Sequence, residues 1–264
     1  MLELRNLTKW YATPRGRRYV FRDLDFVFPA DASIGLIGRN GAGKSTLLRL
    51  LGGIDMPNAG AVITDARISW PVGLAGGFQT SLTARENVQF VCRVHGATGS
   101  KMRRIVDFIA DFAEIGEYFD LPMNSYSSGM RSRVAFGMSM AFDFDYYLID
   151  EVTAVGDPQF KSKSQAVLKE RLTRSKVIMV SHAMTEIAKY CDVVVLVDRG
   201  NTVLYEDVKK GIAAYQQQAL PDGKPASARA PVTAAARPAP RSAPNPVAAQ
   251  ASKATPSSAS TTPP

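Results

Sequence analysis

Nine residues constrain this chain more than any others: Gly38-Arg39-Asn40-Gly41-Ala42-Gly43-Lys44-Ser45-Thr46. They fit the pattern G-x-x-x-x-G-K-[ST], and their flanks fit as well. Ser33 to Ile37 reads as a short apolar strand, and Thr46 to Leu51 as a leucine-rich helical segment stopped by Gly52-Gly53. Strand, glycine turn and helix start are the context in which this motif holds phosphate. Glycines let backbone N–H groups curl around an anion without Cβ clashes. The helix start adds partial positive charge, Lys44 can reach the β- and γ-phosphates, and Ser45 can offer a hydroxyl to Mg²⁺.

The remaining chain alternates strands and helices. Leu2 to Leu7 and Tyr19 to Phe28 read as strands, separated by Thr8-Lys9-Trp10-Tyr11 and a Pro/Gly/Arg turn. Pro57 to Gly60 reads as a turn, Ala66 to Trp70 as a strand. From about Thr83 to Phe119, apolar residues recur at three- and four-residue steps, which predicts a helical insertion. Ser125 to Met130 leads into a further helix. Strands over Tyr146–Asp150, Lys176–Val180, Val193–Val197 and Thr202–Glu206 follow, with helices over Pro158–Leu172, Thr185–Tyr190 and Asp207–Gln218. This order predicts an α/β fold with a mainly parallel sheet covered on both faces.

Composition divides the chain near residue 219. The segment from Pro221 to Pro264 holds ten of the 16 prolines and no aromatic residue, so residues 219–264 are expected to be a disordered Ala/Pro/Ser-rich tail. That tail carries five basic residues and one acidic residue, half of the net charge of +8. The modest remainder suits a nucleotide or membrane-surface partner and is weak evidence for nucleic acid. Cys92 and Cys191 have no metal-like spacing, which points to a reducing compartment. No apolar run approaches 18 residues and the first residues lack a signal-peptide pattern, so a cytosolic location is expected.

Asp150 and Glu151 end a buried apolar strand about a hundred residues after the phosphate loop. In an open parallel sheet both would face the crevice above the strand ends. Asp150 can hold Mg²⁺ through water and Glu151 can act as general base on an attacking water. His182 follows the next apolar strand and can touch the γ-phosphate. Tyr11, at the end of the first strand, either stacks on a purine ring or caps the core. His95, beside Gly96, reads as a surface residue.

In order and spacing these motifs resemble the nucleotide-binding subunit of an ATP-binding cassette (ABC) transporter over residues 1–218. That resemblance implies a P-loop NTPase fold with an N-terminal antiparallel β part and an α-helical subdomain at about 80–142. It assigns Tyr11 to adenine stacking, Gly38 to Thr46 to the phosphates, and Gln79 to sensing Mg²⁺ and the attacking water. Ser127-Ser128-Gly129 correspond to the signature motif, Asp157 to a dimer contact and His182 to a switch histidine. Catalysis would then rest on Glu151, His182 and Gln79, and the metal on Ser45, Gln79 and Asp150, with ATP and Mg²⁺ as cofactors. The signature here is Tyr126-Ser127-Ser128-Gly129-Met130, with serine for the usual first glycine and methionine for glutamine. Together with Ser69-Trp70-Pro71-Val72-Gly73, Gly76-Gly77-Phe78-Gln79 and Asp150 to Asp157, it resembles bacterial polysaccharide exporters; the short chain and the Thr13-Pro14-Arg15-Gly16-Arg17 region resemble capsular polysaccharide exporters most. O-antigen or teichoic acid-type export is the neighbouring reading, and a soluble ATPase acting on DNA or ribosomes the more distant one. The partners so implied are a second copy of the chain and an integral membrane permease, with no nucleic acid, and the implied location is peripheral, at the cytoplasmic face of the bacterial inner membrane.

Overall fold

The computed structural model describes residues 1–73, 77–150 and 158–219. Two sheets organise it. Three antiparallel strands, β1 (Leu2–Thr13), β2 (Gly16–Phe28) and β4 (Ala59–Thr64), pair in the order β2-β1-β4. The second sheet has six strands in the order β5-β6-β7-β3-β8-β9: β3 (Ile34–Ile37), β5 (Ile68–Pro71), β6 (Tyr146–Asp150), β7 (Lys176–Val180), β8 (Val193–Asp198) and β9 (Asn201–Tyr205). All of its pairings are parallel except β8 with β9.

The central strands are apolar on both faces, and the pleat sorts their side chains. Ile34, Leu36, Leu148, Ile178, Val180, Val195 and Val197 enter one core, shared with α1 (Lys44–Leu51) and the antiparallel sheet. Their alternate neighbours Tyr147, Ile149, Val177, Met179, Val194 and Leu196 enter the other, shared with the helical layer. Period-two alternation between two covered faces is why these strands read as continuous apolar runs.

The helical layer interrupts the chain between β5 and β6. It contains α2 (Ala84–Val94), α3 (Gly99–Ala113) and α4 (Ser128–Ala141). The predicted single helical stretch from Thr83 to Phe119 is thus two helices and a 3₁₀ turn, broken at Gly96 and again after Glu114, both with positive φ. Thr83 caps α2 in a reciprocal pairing with Glu86. Phe112 of α3 stacks on Phe136 of α4 at 5.7 Å and meets Phe160 of α5 (Pro158–Arg171) at 5.2 Å. Two more helices, α6 (Met184–Tyr190) and α7 (Val208–Ala219), complete the described chain.

One reading needs correction. Ala59 and Gly60, expected in a turn, begin strand β4, which pairs with β1 from Leu2↔Thr64 to Thr8↔Ala59. Gly60 is needed there because a Cβ would lie 2.2 Å from the Asn6 carbonyl, so the turn-like composition marks close strand approach. His95 is exposed, as expected, and one side of its ring packs at 4.9 Å from Phe142 and 5.6 Å from Trp70. Partial burial there holds the imidazole below its usual pKa.

Candidate nucleotide site

The strand order puts β6, β7 and β3 side by side and parallel, so their C-terminal ends open on one edge. The phosphate loop leaves β3, Asp150 ends β6, and His182 follows β7. At the start of α1, Gly43 has φ +108 and no side chain caps the helix. A Cβ on Gly43 would fall 2.7 Å from Val20 and 2.8 Å from Phe21 of β2, so only glycine permits this approach. The helix start thus presents backbone N–H groups that a phosphate can satisfy.

Lys44 is buried and donates from Nζ to the Gly38 carbonyl at 2.8 Å and the Arg39 carbonyl at 3.1 Å. Ser45 Oγ donates to Asp150 Oδ1 at 3.2 Å, joining residues 105 apart in the chain. A cavity of about 870 Å³ opens above the loop. Asn40 to Thr46, His182 and Tyr11 line it together, a volume in the range of small-ligand sites.

Arg18 and Arg22 of β2, and Arg199 in the β8–β9 turn, line the same cavity. Sequence motifs did not single them out. The available signal was pairing, since Arg18 lies directly across from Tyr11 in the hairpin register.

Tyr11 does not cap the core. It is 37% exposed, and its hydroxyl donates to Asp55 Oδ2 at 2.7 Å.

Other expected site residues lie elsewhere. Gln79 does not line this cavity; its side-chain amide donates to Ser81 Oγ at 3.2 Å. Its main chain is tied to α2 through buried Asn87, which accepts from the Gln79 N–H and donates to the Gln79 carbonyl. Ser127 caps α4, its Oγ accepting from the Met130 N–H at 3.2 Å, with Ser128 as the first helical residue. Ser127 and Gly129 line a second cavity of about 480 Å³ with Glu114, Tyr118 and Arg133. Within one chain, then, the two glycine-containing helix starts do not share a cavity. Glu151 and Asp157 lie outside the described residues, as does all but the first residue of the 219–264 tail.

A phosphate loop on a mainly parallel sheet, with Ser45 against Asp150 and a helical layer ending in a serine-capped helix, defines a P-loop ATPase of the cassette type. The chain belongs to the ABC transporter family, whose profile matches residues 21–154. Within it, the chain is 54% identical over 217 residues to the polysialic acid transport ATP-binding protein KpsT of Escherichia coli, covering 82% of this chain and 96% of that protein. It is 39% identical over 215 residues to the capsule polysaccharide export ATP-binding protein CtrD of Neisseria meningitidis serogroup B, covering 81% and 98%. Among solved structures, the dimeric ATP-binding cassette MJ0796 in a post-hydrolysis state with ADP and Pi shares the fold, with a TM-score of 0.62 at 24% identity, covering 78% of this chain and 98% of that one.

Proposed function

We propose that this chain is the ATP-hydrolysing subunit of an inner-membrane transporter that exports a capsular polysaccharide. The observation that carries the chemistry is the 3.2 Å contact between Ser45 Oγ and Asp150 Oδ1. It sets two hard oxygen donors side by side at the mouth of the phosphate loop, the donor type Mg²⁺ takes while keeping several waters. Among the described residues no group of three or more His, Cys, Asp or Glu side chains is placed to hold a metal ion, so the ion would complete its shell with water and the triphosphate. Bound there, Mg²⁺ supplies charge neutralisation on the β- and γ-phosphates.

The residues then take these parts. Gly38 to Thr46 hold the phosphates, with Lys44 as the fixed cation, and Tyr11 stacks on adenine. Glu151 activates water, His182 faces the γ-phosphate, and Gln79 relays the state of the site to the helical layer. Ser127-Ser128-Gly129 reach the γ-phosphate held by a second copy of the chain, and Asp157 supports that dimer. The separate cavities of one chain, together with the dimeric state of MJ0796, support a shared site.

The cargo and the permease come from likeness to KpsT and CtrD. No helix among the described residues is long and apolar enough to cross a membrane, so a separate permease would form the path. Phe90 and Val94 on α2 are 62% and 66% exposed, one turn apart, and offer an apolar strip for such a partner beside the Gln79 segment. Binding at the cytoplasmic face of the inner membrane follows from that docking.

Two measurements test this reading. Glu151→Gln should accumulate an ATP-bound dimer on size exclusion, and deletion of the gene in a capsulated host should strand polymer inside the cell. An unchanged monomer with full turnover in the first, or normal surface capsule in the second, would refute the respective half.

A further inference from the structure

Lys9 is a lysine on the inner side of a half-buried strand, only 6% exposed. A buried ammonium costs several kcal/mol unless it is paired and hydrogen-bonded. Its partners are Asp55 Oδ1 at 2.6 Å and the Met56 carbonyl at 2.8 Å. The other oxygen of the same carboxylate accepts from Tyr11 at 2.7 Å. Lys9 and Tyr11 are two residues apart on β1, so they share a face, and the ammonium lies 4.8 Å from the centre of the tyrosine ring. One carboxylate therefore holds both the phenol and the cation resting on its ring.

Asp55 is not an arbitrary anchor. It lies in the turn that follows α1, and its backbone N–H donates to the Arg49 carbonyl in that helix's last turn. The helix itself begins at Lys44 of the phosphate loop. Asn58, three residues on, accepts from the Trp10 N–H at 2.7 Å and donates to the Thr8 carbonyl at 2.8 Å. Strand β1 is thus fastened to the far end of the phosphate-loop helix at the position of Tyr11.

We infer that Lys9 and Asp55 are positioning residues for nucleotide binding: they fix the Tyr11 ring at a set distance from the phosphate loop and keep one of its faces covered. The Lys9 ammonium covers one ring face, which leaves the other for a base. A nucleoside triphosphate then spans from ring to loop without first ordering the tyrosine, and that ordering cost is what the pair removes. The inference rests on Tyr11 being the base platform.

The test compares ligands with and without a base, on the full-length chain. Binding of Mg·ATP and of Mg·tripolyphosphate is measured by calorimetry for wild type, Tyr11→Ala, Tyr11→Phe and Asp55→Asn, with the thermal midpoint as a check on folding. Asp55→Asn should weaken ATP about 10-fold, the worth of a hydrogen bond to a charged group, and leave tripolyphosphate within twofold. Its KM for ATP should rise while kcat holds. Tyr11→Phe, which deletes one hydroxyl and stays folded, should weaken ATP about threefold. Asp55→Asn added to Tyr11→Ala should cost nothing further, because the two act through one ring. The inference falls if Asp55→Asn leaves ATP binding unchanged, or weakens tripolyphosphate equally. If Tyr11→Ala itself leaves ATP binding unchanged, the base-platform reading falls, and this inference with it.

Discussion

Two helix starts in this molecule look alike in sequence and differ in what surrounds them. At α1 the N-terminal position is Gly43, in a left-handed conformation, with no side-chain cap and with Lys44, Ser45, Asp150 and His182 gathered around the opening. At α4 the same position is Ser127, which supplies its own cap to the Met130 N–H, and the surrounding side chains are Glu114, Tyr118 and Arg133. The first has an opening for an anion, a fixed cation and an oxygen pair for a metal. The second has a helix dipole and glycine backbone, and the cation lining its cavity among the described residues, Arg133, is turned toward the Ala113 carbonyl at 3.3 Å and the Phe160 ring at 4.5 Å. On the proposed reading, the first start binds a triphosphate and the second completes a site whose main contacts are made by another copy.

That asymmetry is open to direct attack. The largest effect is expected from Lys44→Ala, which removes the fixed cation of the first site. ATP affinity should fall about 100-fold or more, and ATPase activity should vanish into the background of a phosphate-release assay. Comparable binding by the variant would mean that Arg18, Arg22 or Arg199 carries the phosphates.

Ser127→Arg attacks the second start. Turnover should fall about 100-fold, as for loss of one preorganised charge-stabilising contact, while the ATP affinity of the isolated chain stays within twofold. A mixture of this variant with Lys44→Ala should form at most one intact composite site per dimer. If Ser127→Arg weakens binding in the isolated chain as strongly as it slows turnover, the two starts belong to one site and the contrast disappears.

A smaller effect should come from Trp70→Phe, which separates the second start from the sheet. The Trp70 indole N–H donates to Ser139 Oγ at 2.8 Å, tying β5 to α4 within a cluster that includes Phe142, Phe144 and His95. Losing that bond and part of the ring should cost about 1–2 kcal/mol in urea unfolding, with ATP affinity unchanged. A loss of nucleotide binding would show that the helical layer supports the phosphate loop after all.

The first helix start was legible in the sequence because its requirements are local. A glycine that must accept φ +108, the lysine after it and the serine after that sit in consecutive positions and advertise one chemistry. The continuous apolar strands were equally legible, since burial on both faces leaves few alternatives. What stayed hidden depends on register between distant segments. Nothing near Gly60 says that Asn6 will pass within a Cβ's reach, so a strand looked like a turn. Nothing near Arg18 says that it will lie across from Tyr11, or near Asp55 that it will receive both Lys9 and Tyr11. His95 is the surface residue it looked like, but its aromatic contacts were hidden because they come from β5 and from the residues ahead of β6.

The smallest effect expected is the pH dependence at Asp55, which follows from its contacts. Burial alone would raise the carboxyl's pKa, but the hydrogen bonds from Lys9 and Tyr11, with the Lys9 charge, outweigh it and hold the group below its ordinary value of 3.8. The folded chain therefore binds the Asp55 proton more weakly than the unfolded chain does. The stabilisation is complete above the unfolded value and is lost as pH falls through the folded one. Wild type should accordingly lose more stability than Asp55→Asn between pH 6 and pH 3, a difference readable as converging urea midpoints. The same acidification should weaken ATP more than tripolyphosphate, because protonating Asp55 loosens the ring and leaves the phosphate loop intact. Parallel midpoints would show that the carboxylate contributes no charge-dependent stability, and the base-side anchor would then rest on the Lys9 and Tyr11 geometry alone.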